Sequence, residues 1–289
     1  MEARSVRLPV NATLKVHNRE KDFRTMAERP GMDAELEFVK SLASEAAAAA
    51  IERSQRVTPI EKANQSFVTD LDRDIEQFLR RRLGERFPDD QLTGEEYAVE
   101  GGAGSRRWSI DPIDGTGNLV HGFPLWAISI GLIENSQPVL GVIAIPPLRE
   151  LYWAVKGQGA FRDGTRLLAH DAEVFHAQDN VCIGTNAMRT IDPRSMPGRL
   201  RDLGSSCCEQ VFVAAGRLKA CAFLGEAIHD LAAGAVISSE AGCRFGTLGG
   251  EQFDAAELVR RTPIATPTFV APPRRLEALQ RMARLLPPL

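Results

Sequence analysis

The chain has 289 residues, with 35 Lys and Arg against 38 Asp and Glu and a formal net charge of −3. That length supports one large core or two smaller ones, and the balanced charge without a long basic run excludes nucleic acid as the main partner. The most apolar stretch, 119–133, is broken by His121, Gly122 and Pro124, so no bilayer span is expected and no membrane partner.

Residues 1–31 scatter their charges and lack the apolar segment of a secretory signal; the expectation is a weakly ordered arm that packs on a partner subunit. Residues 33–56 carry apolar positions at helical spacing and a run of Ala, which predicts a helix. A second helix follows, capped by Thr69 or Asp70, with Leu71, Ile75, Phe78, Leu79 and Leu83 as its buried stripe and Gly84 and Pro88 as its stop. Arg107–Ile110 reads as a short strand that feeds a turn at Asp111-Pro112-Ile113-Asp114. From Trp126 to Phe161 three apolar runs, the first two joined at Asn135-Ser136-Gln137, predict an antiparallel meander. Beyond Gly164–Asp171, strands at Val181–Gly184, Ala220–Phe223 and Phe269–Ala271 alternate with helices near 206–216, 229–241 and 273–286. This order predicts an α+β protein of layered helices and sheets. Its expected parts are the arm 1–31, a unit over 32–168 and a unit over 169–289.

Cys182, Cys207, Cys208, Cys221 and Cys243 are odd in number, two are adjacent, and none forms a C-x-x-C pair. Reduced, buried thiols in a cytoplasmic protein are expected, and neither a disulfide framework nor a zinc site.

Carboxylates stand where turns meet regular elements: Asp72, Glu95-Glu96, Asp111 with Asp114, and Asp230. Pro112 fixes its own φ and holds Asp111 extended, while Gly115 permits a tight turn or a close approach to a ligand. Carboxylates that converge repel one another unless a cation sits among them. Hard oxygen donors, with no Cys or His near the Asp111 and Asp114 pair, select magnesium, manganese or calcium. Magnesium is usually shared with phosphate, and Gly115-Thr116-Gly117 offers backbone N–H groups and a hydroxyl beside it. Each fragment alone is an ordinary turn, charged loop or helix cap; their joint occurrence is what points to phosphate chemistry.

Taken together, Val68-Thr69-Asp70-Leu71-Asp72, Gly94-Glu95-Glu96, Trp108 through Thr116, Asn118 through Pro124, Gly204-Ser205-Ser206, Val213 through Leu218, Asp230 through Gly234 and Glu240-Ala241-Gly242 resemble the inositol monophosphatase family, the lithium-sensitive magnesium-dependent phosphatases. The resemblance runs from about Asp33 to Leu286. It implies a layered α-β-α-β-α sandwich, commonly homodimeric and cytoplasmic. It also implies hydrolysis of a small phosphate monoester, inositol-1-phosphate-like, by metal-activated water, with roughly two or three Mg2+ ions per site. By match to the family motifs, Glu95, Asp111, Asp114, Asp230 and the carbonyl of Ile113 are the expected metal ligands. Asp72, Glu95 and Thr116 are the expected catalytic groups. Asp114, Gly115, Thr116, Gly117, Ser205, Glu226 and Asp230 are the expected substrate contacts.

Three positions depart from the pattern. Gly117 stands where a second Thr is usual. His229 replaces the usual Trp before Asp230, and packing is its favoured role over substrate contact. Phe223 falls where inositol-phosphate-cleaving members carry a Glu, and a phenyl ring accepts no hydroxyl hydrogen bond; Glu226, three residues on, is the substitute if its loop reaches the site. Histidinol phosphate is the rival substrate, because Lys62 through Thr69 resembles histidinol-phosphatase relatives; nucleotide 3′-phosphates and fructose bisphosphate follow. A non-catalytic binding protein is the alternative of a different class. A dinucleotide site is weaker still, since Gly115-x-Gly117 lacks the third Gly of that motif.

Overall fold

A computed structural model describes residues 31–61, 67–102 and 104–287. The expected arm, Gly31 apart, lies outside the described residues, as do residues 62–66 of the stretch that suggested histidinol phosphate.

The first helix, α1 (Met32–Arg53), buries Val39, Leu42, Ala43, Ala46 and Ala50 at the expected spacing and tightens into a 3-10 turn at Ser54–Arg56. A small ladder of β1 (Pro59–Glu61) and β2 (Phe67–Thr69) leads into α2 (Asp70–Arg86). Gly84 does not end α2; the helix runs two residues further, to just before Phe87 and Pro88. Gly lacks a donor-free backbone, so its cost inside a helix is entropic and about 1 kcal/mol, which the buried Leu79 and Leu83 offset.

Next come β3 (Gln91–Gly94), β4 (Glu100–Gly101), β5 (Arg106–Asp114) and the short α3 (Thr116–Val120). The meander is β6 (Ala127–Glu134), β7 (Gln137–Ile145), β8 (Glu150–Val155) and β9 (Gly159–Arg162), extended by β10 (Thr165–Leu167). Its first turn is a two-residue loop with Asn135 and Ser136 both at positive φ, and Gln137 already pairs with Glu134. Together these strands form an eight-stranded sheet in the order β10-β9-β8-β7-β6-β5-β3-β4, antiparallel except between β3 and β5. β6 is buried along seven of its eight residues, because helices cover both faces of the sheet, and so its sequence is a continuous apolar run instead of an alternation.

The second half supplies β11 (Asn180–Ile183), α4 (Thr185–Met188), β12 (Arg199–Arg201), α5 (Ser206–Ala214), β13 (Ala220–Phe223), α6 (Ile228–Glu240), β14 (Arg244–Thr247), β15 (Gln252–Phe253), α7 (Ala255–Arg260), β16 (Thr268–Ala271) and α8 (Pro273–Met282). Its six strands order as β12-β11-β13-β16-β14-β15. Helices α1 and α2 pack on one face of the large sheet. Helices α5 and α6 fill the space between the two sheets, and α8 packs against the second. The result is an α-β-α-β-α sandwich, as the resemblance implied.

All five cysteines are free and buried. Among the described residues, no helix is long and apolar enough to cross a membrane.

Candidate active site

The site begins with a slip in one ladder. β5 pairs with β6 in regular register from Arg106↔Glu134 to Asp111↔Ser129, then shifts so that Asp114 faces Ala127. One extra residue has entered β5. Residues three apart on a regular strand point to opposite faces; a bulge reverses the second and brings both to one face. Pro112 is the local cause, since it has no N–H to give the ladder, and the N–H of Ile113 turns inward to Asp111 Oδ1 at 3.1 Å. The expected turn after Ile110 is therefore a bulged strand that continues to Asp114.

Gly115 follows with φ +88°, a left-handed conformation, and a Cβ there would meet the carbonyls of Gly204 and Leu125 at 3.1 Å. This bend starts α3 and turns Thr116 back toward the carboxylates. Its hydroxyl lies 2.8 Å from Asp72 Oδ1 and 2.9 Å from the carbonyl of Ile113, two acceptors for one proton. Asp72 is fully buried at the first turn of α2, where it closes a capping box: its Oδ2 accepts from the backbone N–H of Thr69 at 2.9 Å and from the Thr69 hydroxyl at 2.5 Å. Thr69 thus holds Asp72, a function visible in the sequence only as a helix cap. Among the described residues, a Cβ at Gly117 would meet nothing within 4 Å, so the backbone beside Thr116 faces space that none of them fills.

Asp230 arrives from the other half of the chain. α6 lies against β6 and β7 where Gly131 and Gly141 leave no side chain: a Cβ at Gly141 would stand 2.3 Å from the carbonyl of Ala233. This close seat carries the first turn of α6 to the bulge. Asp230 Oδ2 accepts from the N–H of Ala227 at 2.5 Å, and its Oδ1 lies 3.7 Å from His229 Nε2. Ligand atoms of Asp111, Asp114 and Asp230 lie within 4.8 Å of one another, and so do those of Glu95, Asp111 and His229. The two groups share Asp111. His229, for which the sequence favoured packing, stands in the acidic cluster.

Glu95 is delivered by a loop that Glu76 organises. This fully buried carboxylate accepts from the N–H groups of Glu96 and Tyr97 at 2.8 and 3.2 Å and pairs with Arg80 Nε at 2.7 Å. Sequence reasoning missed Glu76; its signal was an acid placed one helical turn after Asp72 and one before Arg80 on the buried face of α2.

Burial, then the charges of Glu95 and Asp114, pushes the Asp111 carboxyl well up from the ordinary range. Burial, then Asp230, raises Asp114 to about 7, although the Ser205 hydroxyl and the N–H of Cys207 at 2.8 Å both donate to it. Burial also raises Asp230 and Asp72. Carboxyls this crowded ionise together only if positive charge joins them. The donor set, mostly carboxylate oxygen, suits a hard divalent cation.

Ser205 caps α5 and touches the site through Asp114. Phe223 is fully buried at the end of β13. Glu226 lies in the loop before α6, outside both ligand groups. Its Oε2 is buried without a hydrogen-bond partner among the described residues, and burial, with the charges of Asp230 and Asp114, raises its carboxyl to about 7.

Residues 32–283 match the model of the inositol monophosphatase family. A fructose-1,6-bisphosphatase/inositol-1-monophosphatase of Aquifex aeolicus is 33% identical over 208 residues, which cover 69% of this chain and 78% of that protein. A histidinol-phosphatase of Chlorobaculum parvum is 34% identical over 198 residues, 65% of this chain and 75% of that protein. A solved Thermotoga maritima IMPase superposes with a TM-score of 0.74 at 26% identity, over 86% of this chain and 94% of that one.

Proposed function

Since the chain belongs to the inositol monophosphatase family and is a phosphoric monoester hydrolase, we propose that it uses Mg2+ to hydrolyse a small sugar or cyclitol phosphate of the inositol-1-phosphate type. The observation that carries this reading is the pair of ligand groups that overlap at Asp111. In it, Glu95, Asp111, Asp114, Asp230 and the carbonyl of Ile113 hold the cations. Bound there, divalent cations would neutralise the charge that develops on the phosphoryl group and acidify a water.

The protein's own groups do the rest. Asp72, through the Thr116 hydroxyl, orients the attacking water and receives its proton; the raised affinity of Asp72 for a proton, caused by burial, suits a base. Its second oxygen is committed to Thr69, so one oxygen alone faces the reaction. Backbone N–H groups at Gly115, Thr116 and Gly117 face the phosphate, for which the open space beside Gly117 leaves room. Asp114 and Asp230, with Ser205 steadying Asp114, border the leaving group.

Glu226 recognises what carries the phosphate. Its unpartnered oxygen accepts a hydroxyl of a cyclitol, and it would equally pair with the ammonium of an amino-alcohol phosphate such as histidinol phosphate, the second reading. Chains of this type are proposed to act as cytoplasmic homodimers, in keeping with five reduced, buried cysteines. The parts 32–168 and 169–289 are proposed as the two units, a division supported by the end of the large sheet at Leu167 and the start of the second at Asn180.

A phosphate-release screen of cyclitol, sugar, amino-alcohol and nucleotide monophosphates with Mg2+, repeated with Li+, tests this. Release from inositol 1-phosphate, suppressed by Li+ or chelator, is the expected result. Release that survives excess chelator would overturn it.

A further inference from the structure

We propose that His229 gives an imidazole nitrogen to the cation held by Glu95 and Asp111, so that this site prefers Mn2+ to Mg2+. The inference rests on the cation-dependent reading above and deepens it: the Asp111, Asp114 and Asp230 group keeps Mg2+, and the group that includes His229 takes Mn2+.

Three observations carry it. A ring nitrogen of His229 and carboxylate oxygens of Glu95 and Asp111 lie within 4.8 Å of one another. Nε2 of His229 is 3.7 Å from Asp230 Oδ1, too far for a direct hydrogen bond. Asp230 therefore does not occupy that nitrogen, and the ring stays open to the carboxylates of Glu95 and Asp111. Lastly, His229 is the second residue of α6 (Ile228–Glu240), whose seat on Gly131 and Gly141 fixes its backbone, and Ser129 Oγ donates to its carbonyl at 3.4 Å. The ring needs no main-chain movement to reach the carboxylates.

The chemistry follows from the donor. Magnesium demands oxygen ligands and gives up its waters reluctantly, whereas imidazole suits first-row transition ions. The imidazole of His229 makes this a mixed nitrogen–oxygen group, which favours a first-row transition ion over Mg2+. Mn2+ is the member of that series that keeps the octahedral, oxygen-rich surroundings of the remaining carboxylates.

The test is pulsed electron paramagnetic resonance of the full-length protein loaded with Mn2+. Imidazole-nitrogen modulation of the Mn2+ signal is expected. It should change when the protein is labelled with nitrogen-15 histidine, and vanish in His229→Phe and His229→Gln, while both variants still bind Mn2+ through carboxylates. The Mn2+ over Mg2+ preference, measured by competition, should fall roughly tenfold or more. Mn2+ that binds the unaltered protein without nitrogen modulation, or modulation that persists in both variants, would overturn the inference and leave the cation-dependent function standing. A protein that binds neither ion would overturn both. The labelling arm needs no substitution, so a variant that fails to fold does not blunt the test.

Discussion

The carboxylate of Glu76 occupies the space that a side chain at residue 94 would need: a Cβ built on Gly94 would lie 1.9 Å from Glu76 Oε1. Because the same carboxylate accepts from the N–H groups of Glu96 and Tyr97, it fixes the backbone that follows Glu95. Gly94→Ala should therefore displace the loop, cost about 1–3 kcal/mol of stability and lower turnover. Denaturant unfolding and a phosphate-release assay check both, and unchanged activity would show that the loop tolerates a shift.

Asp111→Asn and Asp114→Asn should each abolish turnover while the fold persists. Each removes a charge from a crowded cluster whose burial pushes its carboxyls up, so the cation-free variants should melt no lower than the parent at pH 8. Calorimetry with chelator, set beside activity with Mg2+, separates the two effects; a variant that is active would end the assignment of these residues to the cation.

The Thr116 hydroxyl sits between Asp72 and the carbonyl of Ile113. Thr116→Ala should lower kcat on the order of a hundredfold, within the usual range for losing acid–base assistance, with KM little changed. Thr116→Ser, which keeps the hydroxyl, should recover most of the loss. Equal rates for the two variants would contradict the role.

Glu209 offers a pH test at a carboxyl that is not one of the candidate ligands. Burial raises its carboxyl from 4.5 to about 8, and the N–H of Leu203 donates to its Oε1 at 3.2 Å. Below pH 4.5 both folded and unfolded chains hold this proton. Between 4.5 and about 8 the unfolded chain releases it and the folded chain keeps it. In that window stability falls as pH rises, by up to about 1.4 kcal/mol per pH unit from this one group. Glu209→Gln, which cannot ionise, should lose less stability than the parent between pH 5 and pH 8. Parallel urea-denaturation profiles for the two proteins would refute this.

Phe223→Glu should not restore an inositol contact. The side chain at 223 is fully enclosed, so a carboxylate there would be buried unpaired, at a cost of about 3–5 kcal/mol. Glu226→Gln should leave the fold intact and raise KM for the natural alcohol. Discrimination among alcohol phosphates that is the same in Glu226→Gln and the parent would exclude Glu226 from recognition.

Much of the fold was legible because its signals are local. The Ala-rich pattern of α1, the apolar runs of β6 to β8 and the Thr69 cap are each written within a few residues. The crowding of Asp111 with Asp114 could be foreseen from Pro112 and Gly115, but not its means. A bulge depends on which partner residue each strand residue meets, and β6 lies a loop away. Glu76 was overlooked because its partners are N–H groups twenty residues on, and a backbone donor leaves no mark in a sequence. The sequence places His229 only at a helix start, where packing is the common fate of a partly buried ring. Its approach to Glu95 and Asp111 depends on how closely α6 sits on the large sheet, which the glycines at 131 and 141 set from a hundred residues upstream.

That seat has a consequence for what can change in this protein. Where α6 meets β6 and β7, main chain rests on main chain, so the gauge between Asp230 and Asp111 belongs to the skeleton and not to any adjustable rotamer. The loop 224–227 is tied to the main chain of Ile264 through Gly225 and Glu226, but its side chains, that of Glu226 among them, take no part in the seat of the helix. Substitutions in that loop can alter what the molecule grips, generation after generation, while the anvil on which the phosphate is struck keeps its dimensions.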